Sequence, residues 1–253
     1  MSKSVIAAQM YTVREFTKTP KDIAASLAKL RSIGYEAVQL SALGPIETEE
    51  LAKMLQGEGL TAAATHISWE RLRSAPEAVI EEHRILGCKH VALGSMPGEY
   101  RNEEGVVRFA KEASEVALRL AEAGLTFSYH NHSFEFERFG RRKLMQALME
   151  ESDPSLGMEI DTYWVQHGGG DPAAWIRKAK GRIPIVHLKD MTMKGREQLM
   201  AEVGEGNLNW PAILEACRDA GVEWYCVEQD ICQRDPFESL AISLRNLREM
   251  GLH

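Results

Sequence analysis

The stretch "EAGLTFSYHNH", residues 122–132, contains the transition that decides the fold. A helical pattern ends at Gly124, and a short apolar run begins directly after it. Glycine commonly follows the last turn of a helix because it adopts positive φ without a steric penalty. The same pattern, a glycine followed by an apolar run, recurs in "SIGYEAVQL" (residues 32–40), "GEGLTAAATH" (residues 57–66) and "DAGVEWYCVE" (residues 219–228). Each instance is typical of the loop that joins a helix to the next strand of a repeated β/α unit.

Short apolar runs, many of them β-branched, alternate with segments of helical periodicity along the whole chain. We predict eight strands, over residues 5–10, 37–41, 61–67, 90–95, 126–132, 156–161, 183–190 and 224–230. Helices are predicted between them, among others over residues 21–34, 105–124, 210–221 and 235–251, each closing on a glycine. Eight such units predict a single α/β domain over residues 1–253, a (β/α)8 TIM barrel. A doubly wound open sheet is the alternative, but "QMYTVREF" after the first strand contains no glycine-rich phosphate loop.

Composition excludes several classes of protein. A net charge of −7 and the lack of a dense Lys/Arg stripe argue against a nucleic-acid surface. No stretch approaches the roughly 20 apolar residues that a membrane span needs, and the N-terminal segment has no signal-peptide pattern. The four cysteines form no CxxC pair, which is typical of reduced packing residues. We therefore expect a soluble, cytoplasmic protein that binds neither nucleic acid nor a membrane.

Polar side chains end the predicted strands, and the carboxyl ends of all barrel strands meet at the face that carries active sites. The fifth to eighth strands end on His130, Asp161, His187 and Glu228. Imidazoles together with carboxylates suit Mn²⁺, Zn²⁺, Co²⁺, Fe²⁺ or Ni²⁺, whereas Ca²⁺ prefers oxygen ligands alone. Each residue taken singly could be a hydrogen-bonded core residue, a helix cap or an ion-pair partner. Their occurrence on four successive strands predicts a divalent metal site.

Four phrases resemble the sugar phosphate isomerase/epimerase group of the xylose isomerase-like TIM barrels. They are "YHNHSFEF" (129–136), "EIDTYWVQHGGGDPAAWI" (159–176), "IVHLKD" (185–190) and "VGEGNLNWPAILEACRDAGVEWYCVEQD" (203–230), and weaker similarity covers nearly the whole chain. The resemblance implies a divalent metal, often Mn²⁺, held by a Glu, an Asp, a His and a second Glu. Asp161, His187 and Glu228 match the last three ligands, and His130 stands in place of the first Glu. Whether His130 or His132 is the fourth ligand stays open.

The resemblance implies an enzyme of carbohydrate metabolism: a metal-dependent isomerase or epimerase for a sugar, keto-sugar or inositol derivative. Such an enzyme removes a proton beside a carbonyl and stabilises the resulting metal-bound enediolate. Because only Glu228 remains as a carboxylate base on the metal, His132, His66 or Lys189 would supply the second acid–base group. A dehydratase or lyase of the inosose-dehydratase type is the alternative, since β-elimination needs one base and one acid. A metal-dependent hydrolase or endonuclease is a further alternative, which the negative charge disfavours.

Substrate contacts are expected from further residues near the strand ends. The second and third strands end near Gln39 and His66, and Trp164 and His167 follow Asp161, where an aromatic face could pack on a sugar ring. Glu205 could contact substrate or instead cap the next helix. Residues 191–201 resemble a mobile segment that could fold over the site. We therefore expect a small polyhydroxy carbonyl compound as the substrate. The resemblance also implies a possible homo-oligomer.

Overall fold

The computed structural model describes residues 5–253. Residues 1–4, the start of the segment on which the signal-peptide expectation rests, lie outside the described residues. Eight parallel strands close into one barrel: β1 Ile6–Gln9, β2 Ala37–Leu40, β3 Thr61–His66, β4 His90–Leu93, β5 Thr126–His130, β6 Leu156–Asp161, β7 Ile185–Leu188 and β8 Trp224–Val227. Neighbours in the barrel follow chain order, and β8 pairs with β1. The predicted (β/α)8 barrel is confirmed, and each strand lies inside its predicted range.

Within residues 5–253 the helices are α1 Pro20–Ile33, α2 Thr48–Glu58, α3 Trp69–Ser74, α4 Pro76–Leu86, α5 Glu103–Glu122, α6 Leu144–Glu151, α7 Thr162–His167, α8 Pro172–Lys178, α9 Trp210–Ala220 and α10 Pro236–Glu249. Short 3₁₀ helices cover Met10–Phe16, Gly98–Tyr100 and Phe134–Phe136. The start of α1 shows why these boundaries form: Thr19 and Asp22 make a reciprocal capping box, and Gly34, with φ of 115°, ends the helix. None of the helices in the described part of the chain combines the length and apolar character that a bilayer crossing requires.

Within the described residues, two antiparallel hairpins lie outside the barrel. One joins Arg138–Phe139 to Arg142–Lys143, and the other joins Asp190–Lys194 to Glu197–Ala201. The second hairpin occupies the segment that the sequence predicted to be mobile. Its Met191 and Met200 pack with Tyr163, so the segment has regular pairing and a small apolar contact of its own.

The barrel interior changes character along its axis. Small or apolar residues lie two positions before a polar residue in the same strand or directly after it, as in Ala37 before Gln39 and Cys226 before Glu228. Because side chains alternate between the two faces of a strand, both members of each pair point inward. The interior is therefore apolar towards the amino ends of the strands and polar towards their carboxyl ends, where buried polar groups need partners.

Candidate metal centre

Four residues on β5, β6, β7 and directly after β8 bring ligand-type atoms together. One such atom each from His130, Asp161, His187 and Glu228 lies within 4.8 Å of all the others, and all four residues are buried. His130 Nε2 lies 3.2 Å from Asp161 Oδ2, and His187 Nδ1 lies 2.8 Å from Glu228 Oε2. The cluster could hold a metal ion, as the strand ends predicted.

A backbone contact orients the His130 ring. Its Nδ1 lies 3.0 Å from the carbonyl oxygen of Gly94, which can only accept, so Nδ1 carries the proton. Nε2 is then the nitrogen that faces Asp161 and that would bind a metal ion. Ligating histidines typically donate their other N–H in this way, and it fixes their tautomer. His132 is not a member of the cluster, so the geometry favours His130 as the fourth residue.

Asp161 has two functions that use different oxygens. Oδ1 accepts from the backbone N–H of Trp164 at 2.9 Å and caps α7, while Oδ2 faces the cluster. The helix-cap interpretation and the ligand interpretation are therefore compatible. Burial raises the pKa of Asp161, but the Lys189 ammonium and the His130 ring outweigh it and hold that pKa below its usual value.

Lys189 lies among three carboxylates at the edge of the cluster. Its Nζ is 3.0 Å from Asp161 Oδ2 and 2.6 Å from oxygens of both Glu228 and Asp230. Burial lowers the pKa of Lys189, but these carboxylates raise it well above its usual value. For Glu228 burial raises the pKa, and Lys189 and His187 together bring it well below its usual range. Lys189 is thus an ammonium and Glu228 a carboxylate at neutral pH.

A cavity of about 460 Å³ opens above the cluster. Its lining includes His66, Trp69, His130, His132, Glu228 and Asp230. Among the described residues no lysine or arginine lines it, although two carboxylates do. Acid–base groups and candidate metal ligands therefore line the same cavity. Within residues 5–253, its lining includes no cationic side chain that could bind an anionic ligand.

His132 contributes a neutral imidazole to this cavity. Burial, followed by the nearby His130 and Lys189, lowers the pKa of His132 to about 3. Its backbone N–H donates to Glu135 Oε2 at 2.9 Å, and the Tyr129 hydroxyl donates to Glu135 Oε1. Burial raises the pKa of Glu135 to about 7. This buried carboxyl holds the turn that presents His132.

The predicted substrate contacts fall in different places. His66 lines the cavity, as expected. Gln39 is fully buried below it, where Oε1 lies 2.7 Å from His187 Nε2, so the structure assigns it to the support of His187 instead. Trp164 packs against His132 with ring centroids 5.4 Å apart, and His167 is exposed beside Tyr163. Neither of these two is among the lining residues, and their substrate contacts stay predictions.

Glu205 requires a correction. Its side chain is exposed and accepts from Asn246 of α10 at 2.9 Å, on the outside of the barrel. The physical reason is the path of residues 202–206, which run along α10 and away from the cavity. Capping of α9 falls to Asn209, whose side chain accepts from Ala212 N.

Glu159 is a site residue that sequence analysis missed. It is fully buried on β6, two residues before Asp161, and contacts Gln39, His66 and His187. The alternation of side chains along a strand was the available signal, because it places residues i and i+2 on the same face.

The closed parallel barrel is a TIM barrel, and residues of metal-ligand types lie at the carboxyl ends of four of its strands. The profile of the xylose isomerase-like TIM barrel family matches residues 27–250, and the chain belongs to that family. A curated relative is the rhizopine catabolism protein MocC of Rhizobium meliloti, 26% identical over 264 residues that cover 89% of this chain and 80% of that protein.

Solved structures agree with the barrel. A sugar phosphate isomerase/epimerase from Parabacteroides distasonis superposes with a TM-score of 0.80 and 23% identity, covering 98% of each chain. A probable 3-DHS dehydratase, AsbF from Bacillus anthracis, superposes with a TM-score of 0.73 and 14% identity, covering 97% of this chain and 99% of that one. At these identities the likeness shows the fold alone.

Proposed function

We propose that the protein is a divalent-metal-dependent isomerase or epimerase acting on a small, uncharged polyhydroxy carbonyl compound. The observation that carries the proposal is the convergence of His130, Asp161, His187 and Glu228 at the base of a cavity. Two nitrogen and two oxygen donors fit Mn²⁺ and also Zn²⁺, Co²⁺, Fe²⁺ or Ni²⁺. A metal held there would supply Lewis-acid polarisation of the substrate carbonyl.

The chain's own residues supply the proton transfers. Glu228 is ionised, lines the cavity and is the group proposed to remove the proton beside the carbonyl. Lys189 lies 2.6 Å from Glu228 Oε2 and carries the proton that an oxyanion would need. His132, on the cavity wall, is neutral and can accept or donate a hydrogen bond to a hydroxyl group.

The charge of the lining supports an uncharged substrate. Glu228 and Asp230 line the cavity, and the described residues contribute no lysine or arginine to it. A phosphate about 4 Å from one such carboxylate would meet a repulsion on the order of 4 kcal/mol at an effective dielectric constant near 20. A phosphorylated substrate, of the kind named for the Parabacteroides distasonis sugar phosphate isomerase/epimerase, is therefore not proposed for this chain.

The first test measures bound metal and then proton exchange. The protein, prepared without chelator, is analysed for metal and incubated in D₂O with ketoses, keto-sugars and inososes, each free and, where available, phosphorylated. We expect a bound divalent ion and deuterium in an unphosphorylated substrate. The Glu228→Gln variant should lose exchange by about 10²–10⁴-fold, whereas Glu205→Gln, which removes an exposed carboxylate outside the barrel, should retain it. Absence of bound metal, or exchange only with sugar phosphates, would contradict the proposal.

A dehydratase or lyase is the second candidate. A specific observation favours it: the described residues that line the cavity include His66 and His132 but no glutamate besides Glu228. One carboxylate base and one acid suffice for β-elimination of water, whereas two-face epimerisation needs a base on each side. Mass spectrometry separates the reactions, because an isomerase product keeps the substrate mass and a dehydratase product has lost one water.

A further inference from the structure

Glu159 is a buried carboxylate that the proposed reaction does not use. It lies below the cavity floor with no exposed surface. Its Oε2 is 2.7 Å from His66 Nε2, and its Oε1 accepts from Gln39 Nε2 at 2.8 Å and lies 3.3 Å from His187 Nε2. A carboxylate this deep persists only when donors satisfy its oxygens. Here donors from three barrel strands do so.

The hydrogen-bond directions define the tautomer of His187. Gln39 donates through Nε2 to Glu159, so its other amide atom, Oε1, is the acceptor that faces His187 Nε2 at 2.7 Å. Two oxygens therefore face His187 Nε2, which must carry a proton. The nitrogen left for the metal cluster is Nδ1, which donates to Glu228 Oε2 at 2.8 Å when no metal is bound and would lose its proton when a metal binds.

The same carboxylate defines the tautomer of His66. Glu159 Oε1 accepts from the Gln39 amide and Oε2 lies 2.7 Å from His66 Nε2, so His66 Nε2 is the donor to this carboxylate. His66 Nδ1 is then the unprotonated nitrogen, and it lies 3.4 Å from the hydroxyl of Ser41. Both His66 and Ser41 line the cavity.

We propose that Glu159 is a positioning residue that sets, through one carboxylate, the ring orientation and tautomer of a metal-ligand histidine, His187, and of a cavity histidine, His66. The role of His187 as a ligand rests on the proposed function. The orientation of His66 does not. Glu159 reaches His187 through Gln39 and through its own 3.3 Å contact with His187 Nε2, whereas it contacts His66 directly.

His66, Glu159 and His187 also have the donor types of a second metal site. The Gln39 amide argues against that interpretation, because it engages both Glu159 Oε1 and His187 Nε2. Hydrogen bonds alone satisfy the polar atoms of Glu159, Gln39 and His187 Nε2, and no metal ion is needed there. We therefore expect one divalent ion per chain, and a stoichiometry of two would overturn the assignment of Glu159.

Tautomers are the direct readout in the unmodified protein. Histidine ¹⁵N spectra should show Nε2–H forms for His66 and, in the metal-loaded protein, for His187. An Nδ1–H form for His66 would overturn the proposal. This measurement needs neither substrate nor a folded variant. If the protein bound no metal, the proposed function would be contradicted. The tautomer of His66 would still test the role of Glu159.

Variants separate positioning from simple stabilisation. Glu159→Gln leaves one acceptor oxygen where two are needed, so one histidine loses its partner. We expect the Mn²⁺ affinity to fall about 10–100-fold, which is the range for outer partners of ligating histidines, and the visible spectrum of the Co²⁺ form to change. The matched control is Glu202→Gln, a buried glutamate that contacts Ser239 and Arg234 away from the cluster. Equal Mn²⁺ affinities in both variants and the unmodified protein would overturn the proposal.

Gln39→Met provides an independent variant if Glu159→Gln does not fold. It removes the acceptor that faces His187 and leaves the contact of Glu159 with His66 in place. Mn²⁺ affinity should fall, while the His66 tautomer should stay as in the unmodified protein. Unchanged Mn²⁺ affinity in Gln39→Met would contradict the transmission through Gln39.

Discussion

Asp190 offers the sharpest test of the structure outside the cavity. It directly follows Lys189 and begins the second hairpin, and it has no exposed surface. Its Oδ2 accepts from three donors and its Oδ1 from two: Gly204 N, Gly206 N and Trp210 Nε1 for Oδ2, and Met191 N and Leu208 N for Oδ1. One carboxylate thus holds the whole loop from residue 204 to the start of α9.

Asp190→Asn changes this arrangement without creating a cavity. The amide keeps one acceptor oxygen and puts an NH₂ group where the other oxygen met two or three donors. A hydrogen bond to a charged group contributes about 1.5–3 kcal/mol, so two lost bonds already cost about 3 kcal/mol. Some stranded N–H groups can rotate towards water, and we expect the free energy of unfolding to fall by about 3–5 kcal/mol.

Urea unfolding followed by circular dichroism measures this loss. The matched control is Asp171→Asn, because Asp171 also accepts backbone N–H groups, as the cap of α8. Asparagine caps helices about as well as aspartate, so this control should stay within about 0.5 kcal/mol of the unmodified protein. A loss below about 1 kcal/mol in Asp190→Asn would refute the reasoning, since packing alone would then hold the loop.

Three further predictions test the site and the core. Mn²⁺ at 100 times its Kd should raise the free energy of unfolding by about 2.7 kcal/mol in a thermal melt, and Asp161→Asn or EDTA should remove that gain. Glu135 has a pKa of about 7 in the folded protein and 4.5 as a free side chain. Between these pH values the side chain is therefore protonated in the folded state and ionised in the unfolded state. The free energy of unfolding therefore falls by about 3 kcal/mol as the pH rises through that window. Urea unfolding at several pH values should show this dependence in the unmodified protein, and the Glu135→Gln variant should not show it. Gly157→Ala would place a methyl group 2.6 Å from Ser128 Oγ and should cost about 1–3 kcal/mol in thermal unfolding, whereas Gly98→Ala, with open space around it, should be nearly neutral. A Gly157→Ala variant as stable as Gly98→Ala would contradict the close contact between β5 and β6.

Local patterns were enough to predict the barrel. Glycines such as Gly34 and Gly221 end helices in the left-handed conformation, and apolar runs follow them in several repeats. Because these patterns depend only on neighbouring residues, they can be recognised without knowledge of the tertiary structure. Strand ends were less certain, since hydrogen bonding stops where the barrel pairing stops: β5 ends at His130 and not at His132.

The predicted ligands came from strand ends, and the structure brings all four together. The placement of their supports could not be predicted in the same way. Gln39 and Glu159 lie 120 positions apart in the chain and meet only because β2 and β6 face each other across the closed barrel. Glu205 has the residue type of a substrate contact, but the path of its loop along α10 turns it outward.

The sequence by itself determined the order of strands and helices, the closed barrel and the four residue types at the strand ends. Periodicity and helix termination are local properties of the chain, and the alternation of a strand already decides which side chains point inward. Only the tertiary structure decided which nitrogen of each histidine faces the cluster, which carboxylate supports it and which predicted contacts reach the cavity. Those features depend on hydrogen bonds of about 3 Å between residues distant in sequence, whose geometry exists only once the barrel has closed.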